Sequence, residues 1–422
     1  MSAVSSILVV GAGQTSAVAV ATLRDSGYEG RITVVGDEAH APYERPPLSK
    51  AVLAAVNAEE PNISIKERDF FSDQNIDLRL GTRVLALDTH TRTAHLSDGS
   101  SVVYDRCLLA TGGKARRLRN LPEEANQVHY LRTLDDARRL RTALQQARNA
   151  LIVGGGFLGL ETASTACDMG VKVAVIDTAP LLMARSVPSA FSKWLQARIE
   201  TTGTQLYLGT SIANVQLPGN AVHIALDDGT NLEADLVVVA VGLTPNTELA
   251  RDSGLKLNPL NGGIEVDAYC RSSVDDIFAA GDCTSQRDAD QNAFRLESWQ
   301  NANEQARVAA HSMLGIETRP PAYPWFWTDQ FNCNVQILGL PQPGLDYVIR
   351  GDMDPAASMP KFIMLGLRNS IPHHALAVNA GGDLRALRPL LEKRIPIDPA
   401  GFCDTSVSVK AYSKALLTSV AN

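Results

Sequence analysis

The stretch Leu151–Asp177, LIVGGGFLGLETASTACDMGVKVAVID, constrains this chain more than any other. Its apolar run Leu151-Ile152-Val153 leads straight into Gly154, Gly156 and Gly159, a G-x-G-x-x-G, and Asp177 closes the next β-branched run 23 residues after the first glycine. Alone, that glycine pattern marks no more than an ordinary strand, turn and helix. With a strand before it, a helix after it and an acid at the end it is a dinucleotide fingerprint. The three glycines play different physical roles. Gly154 makes the tight turn, Gly156 lets backbone N–H groups approach a pyrophosphate, and Gly159 lets the helix pack closely on the strand. The helix N-terminus then points at the phosphates.

The same order of parts runs from Ile7 to Asp37, ILVVGAGQTSAVAVATLRDSGYEGRITVVGD. The exits correspond as well, because Asp98, Gly99, Asp105 and Gly112 each stand 130 positions before Asp228, Gly229, Asp235 and Gly242. This is a long-period duplication of one unit rather than a solenoid repeat. It predicts an α/β fold with two Rossmann-like dinucleotide-binding domains.

At 422 residues there is room for about two to four domains. A net charge of −7 argues against a nucleic-acid partner, although a local basic patch can still serve one protein partner. The first strand begins about seven residues from Met1 with nothing basic before it, so no leader segment is expected. No apolar run approaches the roughly 20 residues of a membrane span, and the expected location is cytoplasmic. The six cysteines, Cys107, Cys167, Cys270, Cys283, Cys333 and Cys403, form no C-x-x-C pair. Cys107 in an apolar strand and Cys167 on a helix read as small buried hydrophobes.

In the first unit Gly11 and Gly13 take the first two fingerprint positions and Ser16 replaces the third glycine, small enough for helix and strand still to approach. Asp37 is placed to accept from a ribose, with Glu38 as its neighbour and fallback, or is a solvated turn acid. Next, Pro46-Pro47 forbids helix and predicts a stiff extended loop bracketed by Arg45 and Lys50. These two cations suit a pyrophosphate or an isoalloxazine ring, or are two exposed charges on a turn.

Taken with GAGQTS, YERPPLSK, LLATGG (Leu108–Gly113), YLRTLDDA (Tyr130–Ala137), GGGFLGLE, VGLTPN (Val241–Asn246), DIFAAGDC (Asp276–Cys283), LESWQNANEQAR (Leu296–Arg307) and PWFWTDQ (Pro324–Gln330), the chain resembles the FAD-dependent, NADH-using ferredoxin reductases of bacterial multicomponent oxygenases. The resemblance extends over nearly the whole sequence. It implies a glutathione-reductase-like arrangement with a small α+β C-terminal domain: FAD-binding over 1–112 and 243–320, NAD-binding over 113–242, and an interface domain over 321–422. It places Thr15, Asp37, Arg45, Lys50, Val84, Arg132 and Asp282 at FAD, and Gly11, Gly13, Ser16, Thr111, Gly112, Gly281, Glu297 and Trp299 are further cofactor-binding candidates. Gly154, Gly156, Gly159, Asp177, Arg185 and Gly242 fall to NADH. Glu161 would sit near the flavin and pair with Lys50; read from the residues alone, an acid on that first helical turn either faces the cofactor or stabilises the helix N-terminus. Trp327 stacks near the flavin or fills an interdomain seam. Lys50, Glu161 and Trp327 are thus the candidate catalytic residues.

Thr133 reads as the N-cap of a helix over 133–147, with Asp135 and Asp136 in its first turn. A second helix is expected from about Leu296 to His311, carrying Glu297, Trp299 and Arg307, and TRPPAYP then marks a boundary. Beyond it, NVQILGL and KFIMLGL read as strands and RALRPLLEKR as a basic helix. Pro372 and His373-His374 stand where relatives carry a glycine-containing hairpin, which unsettles the local sheet. Two adjacent histidines without further ligands make no metal site.

Relatives that reduce disulfides carry a cysteine pair near the flavin, and related oxidases carry one reactive cysteine soon after the loop occupied here by RPPLSK. No cysteine precedes Cys107, and no four-cysteine iron–sulfur signature is present. Electrons must leave for an external acceptor. The resemblance implies hydride transfer from NADH to FAD and single electrons onward to a [2Fe–2S] ferredoxin that feeds a terminal oxygenase, in a monomer or homodimer. An NADH oxidase using oxygen directly and an apoptosis-inducing-factor-like NADH-responsive binding protein are the alternatives. The cluster Arg385, Arg388, Lys393 and Arg394, with Arg307, is the expected ferredoxin contact, or is ordinary solvated surface.

Overall fold

Both fingerprints fold as strand, turn, helix and strand, with matching register. The computed structural model describes residues 4–55, 60–67, 69–287, 291–318 and 323–421. In the first copy Ser6–Val10 pairs in parallel with Arg31–Val35, setting Val10 opposite Val35, and the helix Gln14–Asp25 joins them. In the second, Asn149–Val153 pairs with Lys172–Asp177, setting Val153 opposite Ile176, around the helix Phe157–Asp168. The repeated exit residues do repeated work. Asp105 accepts from the N–H groups of Ser5 and Ser6 at 2.8 and 2.9 Å, and Asp235 from those of Arg148 and Asn149 at 2.7 and 3.0 Å. Each acid closes the start of its unit's first strand onto the start of its last. The Ser5 hydroxyl and the neighbouring N–H donors hold the Asp105 carboxyl down at about 2. Gly99 and Gly229 take positive φ, 83° and 89°, at the tips of matching hairpins.

The chain divides into two compact units. One comprises Met1–Pro47, Pro61–Lys114 and Leu243–Pro321; the other comprises Leu48–Glu60, Ala115–Gly242 and Ala322–Asn422. The first is built on a parallel sheet in the order Ile277–Ala279, Arg106–Leu109, Ser6–Val10, Arg31–Val35, Ile76–Arg79. Its central residues Leu8, Val9, Leu108 and Leu109 are fully buried, as both faces of a parallel sheet require. The helices Gln14–Asp25 and Trp299–Met313 pack against the cluster on one face, and the small antiparallel sheet Val84–Asp88, Thr93–Leu96, Ser101–Val103 on the other.

The second unit repeats the parallel sheet as Gln205–Leu208, Lys172–Asp177, Asn149–Val153, Leu236–Val239, Val128–Tyr130. It adds an antiparallel sheet in the order Trp325–Gln330, Cys333–Leu338, Ile371–Val378, Lys361–Arg368, Asp346–Asp352. The helix Gly381–Glu392 covers one face with Leu384, Leu387, Leu390 and Leu391. Phe191 and Trp194 of the helix Ser189–Glu200 meet Phe362 on the other.

Local expectations need three corrections. Pro46-Pro47 does not stiffen an extended loop: Pro46–Ser49 is a turn of 3₁₀ helix, where proline fits because first-turn N–H groups need no partner. The helix expected from Leu296 starts at Trp299, because the Ser298 hydroxyl accepts from Asn301 N–H and caps it, so Glu297 precedes the helix. The sheet around Pro372 closes despite the proline but carries a register shift there, since Gly366 pairs with His374 and Leu367 with Pro372. Lys361–Arg368 and Ile371–Val378 form a hairpin through Asn369 and Ser370, both at positive φ, and the neighbour Cys333–Leu338 pairs only from Ala375 onward, so Pro372 breaks no ladder on that side. The helix read over 133–147 spans Leu134–Gln146, with Thr133 and Asp136 completing a capping box. Within TRPPAYP, residues 319–322 lie outside the described residues.

Candidate functional site

At the first fingerprint, Gly11 has φ +110°, and a Cβ there would stand 2.3 Å from Ala110 O. Gly13 is the helix N-cap, with no side-chain cap and open space where a Cβ would be. The exposed donors and the open approach fit a dinucleotide pyrophosphate. A buried oxygen of the adjacent Gln14, Oε1, has no hydrogen-bond partner. Ser16 succeeds in place of glycine by donating its hydroxyl to Gly11 O at 2.5 Å. The second fingerprint leaves no such room, since a Cβ at Gly159 would lie 1.9 Å from Gly154 O. Gly154 at φ +116° and the uncapped, open Gly156 repeat the rest of the cradle.

The acids after the second strands differ between the copies. By register Asp177 corresponds to Gly36, not to Asp37. Asp177 accepts from Gly155 N–H at 2.6 Å and Ala179 N–H at 2.8 Å, which fixes its carboxylate beside the glycine turn. A side chain at Gly36 would collide with Ala12, its Cβ lying 2.4 Å from that of Ala12. The first unit's acids therefore come one and two residues later. Asp37 is exposed and pairs with Arg83 at 3.3 Å, whereas Glu38 accepts from Tyr43 at 2.5 Å and Arg45 at 2.6 Å. Burial disfavours the Arg45 charge, but Tyr43 and Glu38 outweigh it and its pKa ends above the ordinary arginine value.

Gly281, at φ +85°, lies so near Thr15 that a Cβ would stand 2.5 Å from its hydroxyl, and this fixes the turn before Asp282. Gln305, buried in the helix Trp299–Met313, accepts from Gly281 N–H at 2.7 Å and the Thr284 hydroxyl at 3.0 Å. Thr111 spends its hydroxyl on Asn246 O at 2.6 Å, Asn246 Nδ2 returns a bond to Thr111 O, and its N–H donates to Gly112 O. Gly242, at φ +109°, accepts from Arg116 N–H at 2.9 Å. The Val84 side chain belongs to the core. Glu297 pairs with Arg295, and Trp299 opens its helix.

In the second unit Glu161 is 7% exposed and fully engaged. Its Oε1 takes Lys50 Nζ at 2.7 Å and the Thr328 hydroxyl at 2.7 Å, and its Oε2 takes the Ser49 hydroxyl at 2.6 Å. The expected Lys50–Glu161 pair is therefore present, and helix-terminus stabilisation is not the acid's main engagement. Trp325 and Trp327, two apart on one strand and so on one face, stack with centroids 5.1 Å apart at 20°. Arg132 donates its N–H to Asp136 at 3.0 Å, and Arg185 is exposed. Burial pushes the thiols of Cys107, Cys270 and Cys283 up, away from a reactive thiolate. Among the described residues no group of three or more His, Cys, Asp or Glu could hold a metal ion, and no helix is long and apolar enough to cross a membrane.

Sequence reasoning missed Ser49, Thr328 and Gln305. Thr328 carried a usable signal: in WFWTDQ the tryptophans take one face of a strand, which leaves a hydroxyl and an amide on the other, buried face.

Residues 5–306 match the pyridine nucleotide-disulphide oxidoreductase family, and residues 325–413 match the reductase C-terminal family. The chain belongs to the pyridine nucleotide-disulphide oxidoreductases. It is 40% identical over 385 residues, 91% of its length and 95% of the relative's, to the ferredoxin–NAD(+) reductase component of 3-phenylpropionate/cinnamic acid dioxygenase from Photorhabdus laumondii. Among solved structures it is similar to the ferredoxin reductase for the CYP199A2 system from Rhodopseudomonas palustris, with 34% identity, a TM-score of 0.90, and coverage of 98% of this chain and 100% of that one. It is likewise similar to putidaredoxin reductase in its covalent complex with putidaredoxin, with 32% identity, a TM-score of 0.89 and coverage of 99% of each chain.

Proposed function

We propose that this chain is an NADH:ferredoxin oxidoreductase that binds FAD at the first fingerprint and NADH at the second, and delivers single electrons to a [2Fe–2S] ferredoxin serving an oxygenase in the cytoplasm. One observation carries the reading. Two dinucleotide cradles of the same build, each with an uncapped helix N-terminus and an open second glycine, occur in one chain whose second fingerprint helix also carries a buried Glu161 paired with Lys50. The names of its relatives support the acceptor: a reductase component of a dioxygenase, and a reductase in complex with putidaredoxin.

The chemistry that FAD supplies when bound is the conversion of a hydride's electron pair into two single electrons. The chain's residues bind and orient. Gly13 and Thr15, with the N–H groups of their helix, would hold the FAD pyrophosphate, Asp282 would accept from its hydroxyls, and Asp37, Glu38 and Arg45 would serve its adenosine half. Val84, Thr111, Gly112, Arg132, Gly281, Glu297 and Trp299 would complete the set that binds FAD, and Lys50, Glu161 and Trp327 would serve its flavin. Gly154, Gly156, Gly159, Asp177, Arg185 and Gly242 hold NADH.

Purified protein should be yellow, lose its flavin absorbance on anaerobic addition of NADH, and reduce cytochrome c only when a [2Fe–2S] ferredoxin is added. Fast oxygen consumption without any carrier would overturn the acceptor assignment. Failure of the folded protein to take up FAD would overturn the cofactor assignment.

A further inference from the structure

The hydroxyls around Glu161 are the feature that the proposed reaction leaves unused. Ser49 and Thr328 are almost fully buried, at 2% and 0% exposure, and both donate to the same carboxylate. Each also sits on a segment tied a second time to the fingerprint helix. The Thr165 hydroxyl, one turn after Glu161, donates to Ser49 O at 2.7 Å. Phe331 N–H, at the turn of the hairpin that carries Thr328, donates to the Ser164 hydroxyl at 2.7 Å. Loop and hairpin thus reach one helix face twice each, and Glu161 is where they meet.

We infer that Thr328 and Ser49 are positioning residues: their hydroxyls orient the Glu161 carboxylate, and through it the Lys50 ammonium. The inference rests on the reading that Lys50 faces bound FAD. A lysine head is a point charge on a flexible stem, so its place is set by what it binds. With Oε1 shared between Lys50 and Thr328, and Oε2 held by Ser49, the carboxylate cannot rotate without breaking a charge-assisted bond. Thr328→Val keeps the shape and removes the donor on one oxygen.

The test uses the FAD-loaded protein and reads three quantities: the flavin reduction potential, the rate of flavin reduction by NADH in stopped flow, and the thermal midpoint. Thr328→Val should slow flavin reduction about tenfold, the worth of one hydrogen bond to a charged group, and shift the potential. Thr328→Ser should restore both. In a Lys50→Met background the further change Thr328→Val should leave rate and potential where Lys50→Met put them, because a residue acting through another is not additive with it. A Thr328 that matters only for packing would lower the thermal midpoint, leave the potential alone and add its effect in the double variant; that result overturns the inference. If Lys50→Met itself moves neither rate nor potential, the placement of Lys50 at the flavin fails, and the inference fails with it. Ser49→Ala repeats the test on the other oxygen should Thr328→Val not fold.

Discussion

Asp177 is held by the backbone at the place where the proposed NADH site needs a carboxylate. Its two oxygens are engaged by Gly155 and Ala179 N–H groups, so its charge is held beside the second glycine turn. In the proposed NADH site a carboxylate there would accept from ribose hydroxyls and repel a 2′-phosphate. Asp177→Asn should narrow the preference for NADH over NADPH by about tenfold or more in kcat/KM, a loss of roughly 1.4 kcal/mol of discrimination; an unchanged ratio would remove the acid from that role. The sequence made this residue legible because a whole fingerprint surrounded it. The one-residue offset of Asp37 from the register of Asp177 was not legible, because only the structure shows that Gly36, pressed against Ala12, takes the corresponding place. His374 was read only as a failed metal ligand. It is fully buried, donates to or accepts from Tyr347 through Nδ1 at 3.1 Å, and burial drops its pKa to about 4. Unfolded, it titrates near 6.5, so the unfolded chain takes up a proton that the folded chain refuses. Its contribution is complete above that value and is lost as pH falls toward 4, by up to about 3 kcal/mol. Chemical denaturation of His374→Phe at pH 7 and pH 5 should show a smaller fall than the parent protein.

Strands, helices and turns were legible where the signal was local. The duplicated βαβ runs, the Thr133 capping box and the alternating runs near the C-terminus all carry their cause within a few residues. Errors arose where two local signals competed. Leu296 looked like a helix start until Ser298 took the cap, and Pro46-Pro47 looked extended although proline also suits a first helical turn. Contacts made by a turn with distant segments were not legible at all. Phe331 and Asn332 join Trp325–Gln330 to Cys333–Leu338 with φ of 48° and 59°, costly for non-glycine residues and tolerated only when neighbours fix them. Arg198 is such a neighbour. Buried at 7% exposure, it donates to Phe331 O at 3.4 Å, to Pro355 O at 3.1 Å and to Ala357 O at 2.7 Å. Arg198→Met should destabilise the protein by about 2–4 kcal/mol through orphaned carbonyls, and Arg198→Lys should recover little, because an ammonium cannot match the planar fork. Thermal denaturation of both variants measures this; full recovery by lysine would mean that charge alone suffices.

Each compact unit holds one copy of the duplicated nucleotide-binding fold. The sequence marks Arg385, Arg388, Lys393 and Arg394, with Arg307, as a basic cluster, and side-chain positions sharpen that reading. On and just after the helix Gly381–Glu392, Arg385, Lys393 and Arg394 are exposed, whereas Arg388 is held by Glu392 at 2.7 Å and is the weaker candidate for an intermolecular contact. Arg307 is exposed in the other unit. On a chain of net charge −7, such a local excess of positive charge attracts an acidic partner chiefly by raising the encounter rate, over a screening length of roughly 8 Å at physiological salt. Reversing Arg385, Lys393 and Arg394 together to glutamate should therefore slow ferredoxin-dependent cytochrome c reduction about tenfold at low salt and flatten its salt dependence. Reduction of the flavin by NADH should not change, since that step needs no protein partner. Reversing Arg388 alone should do less, because that charge is already partly cancelled. If the triple reversal leaves both the coupled rate and its salt slope intact, the acceptor docks on another surface. If it slows flavin reduction by NADH as well, these residues act on the flavin or nicotinamide site rather than on the acceptor.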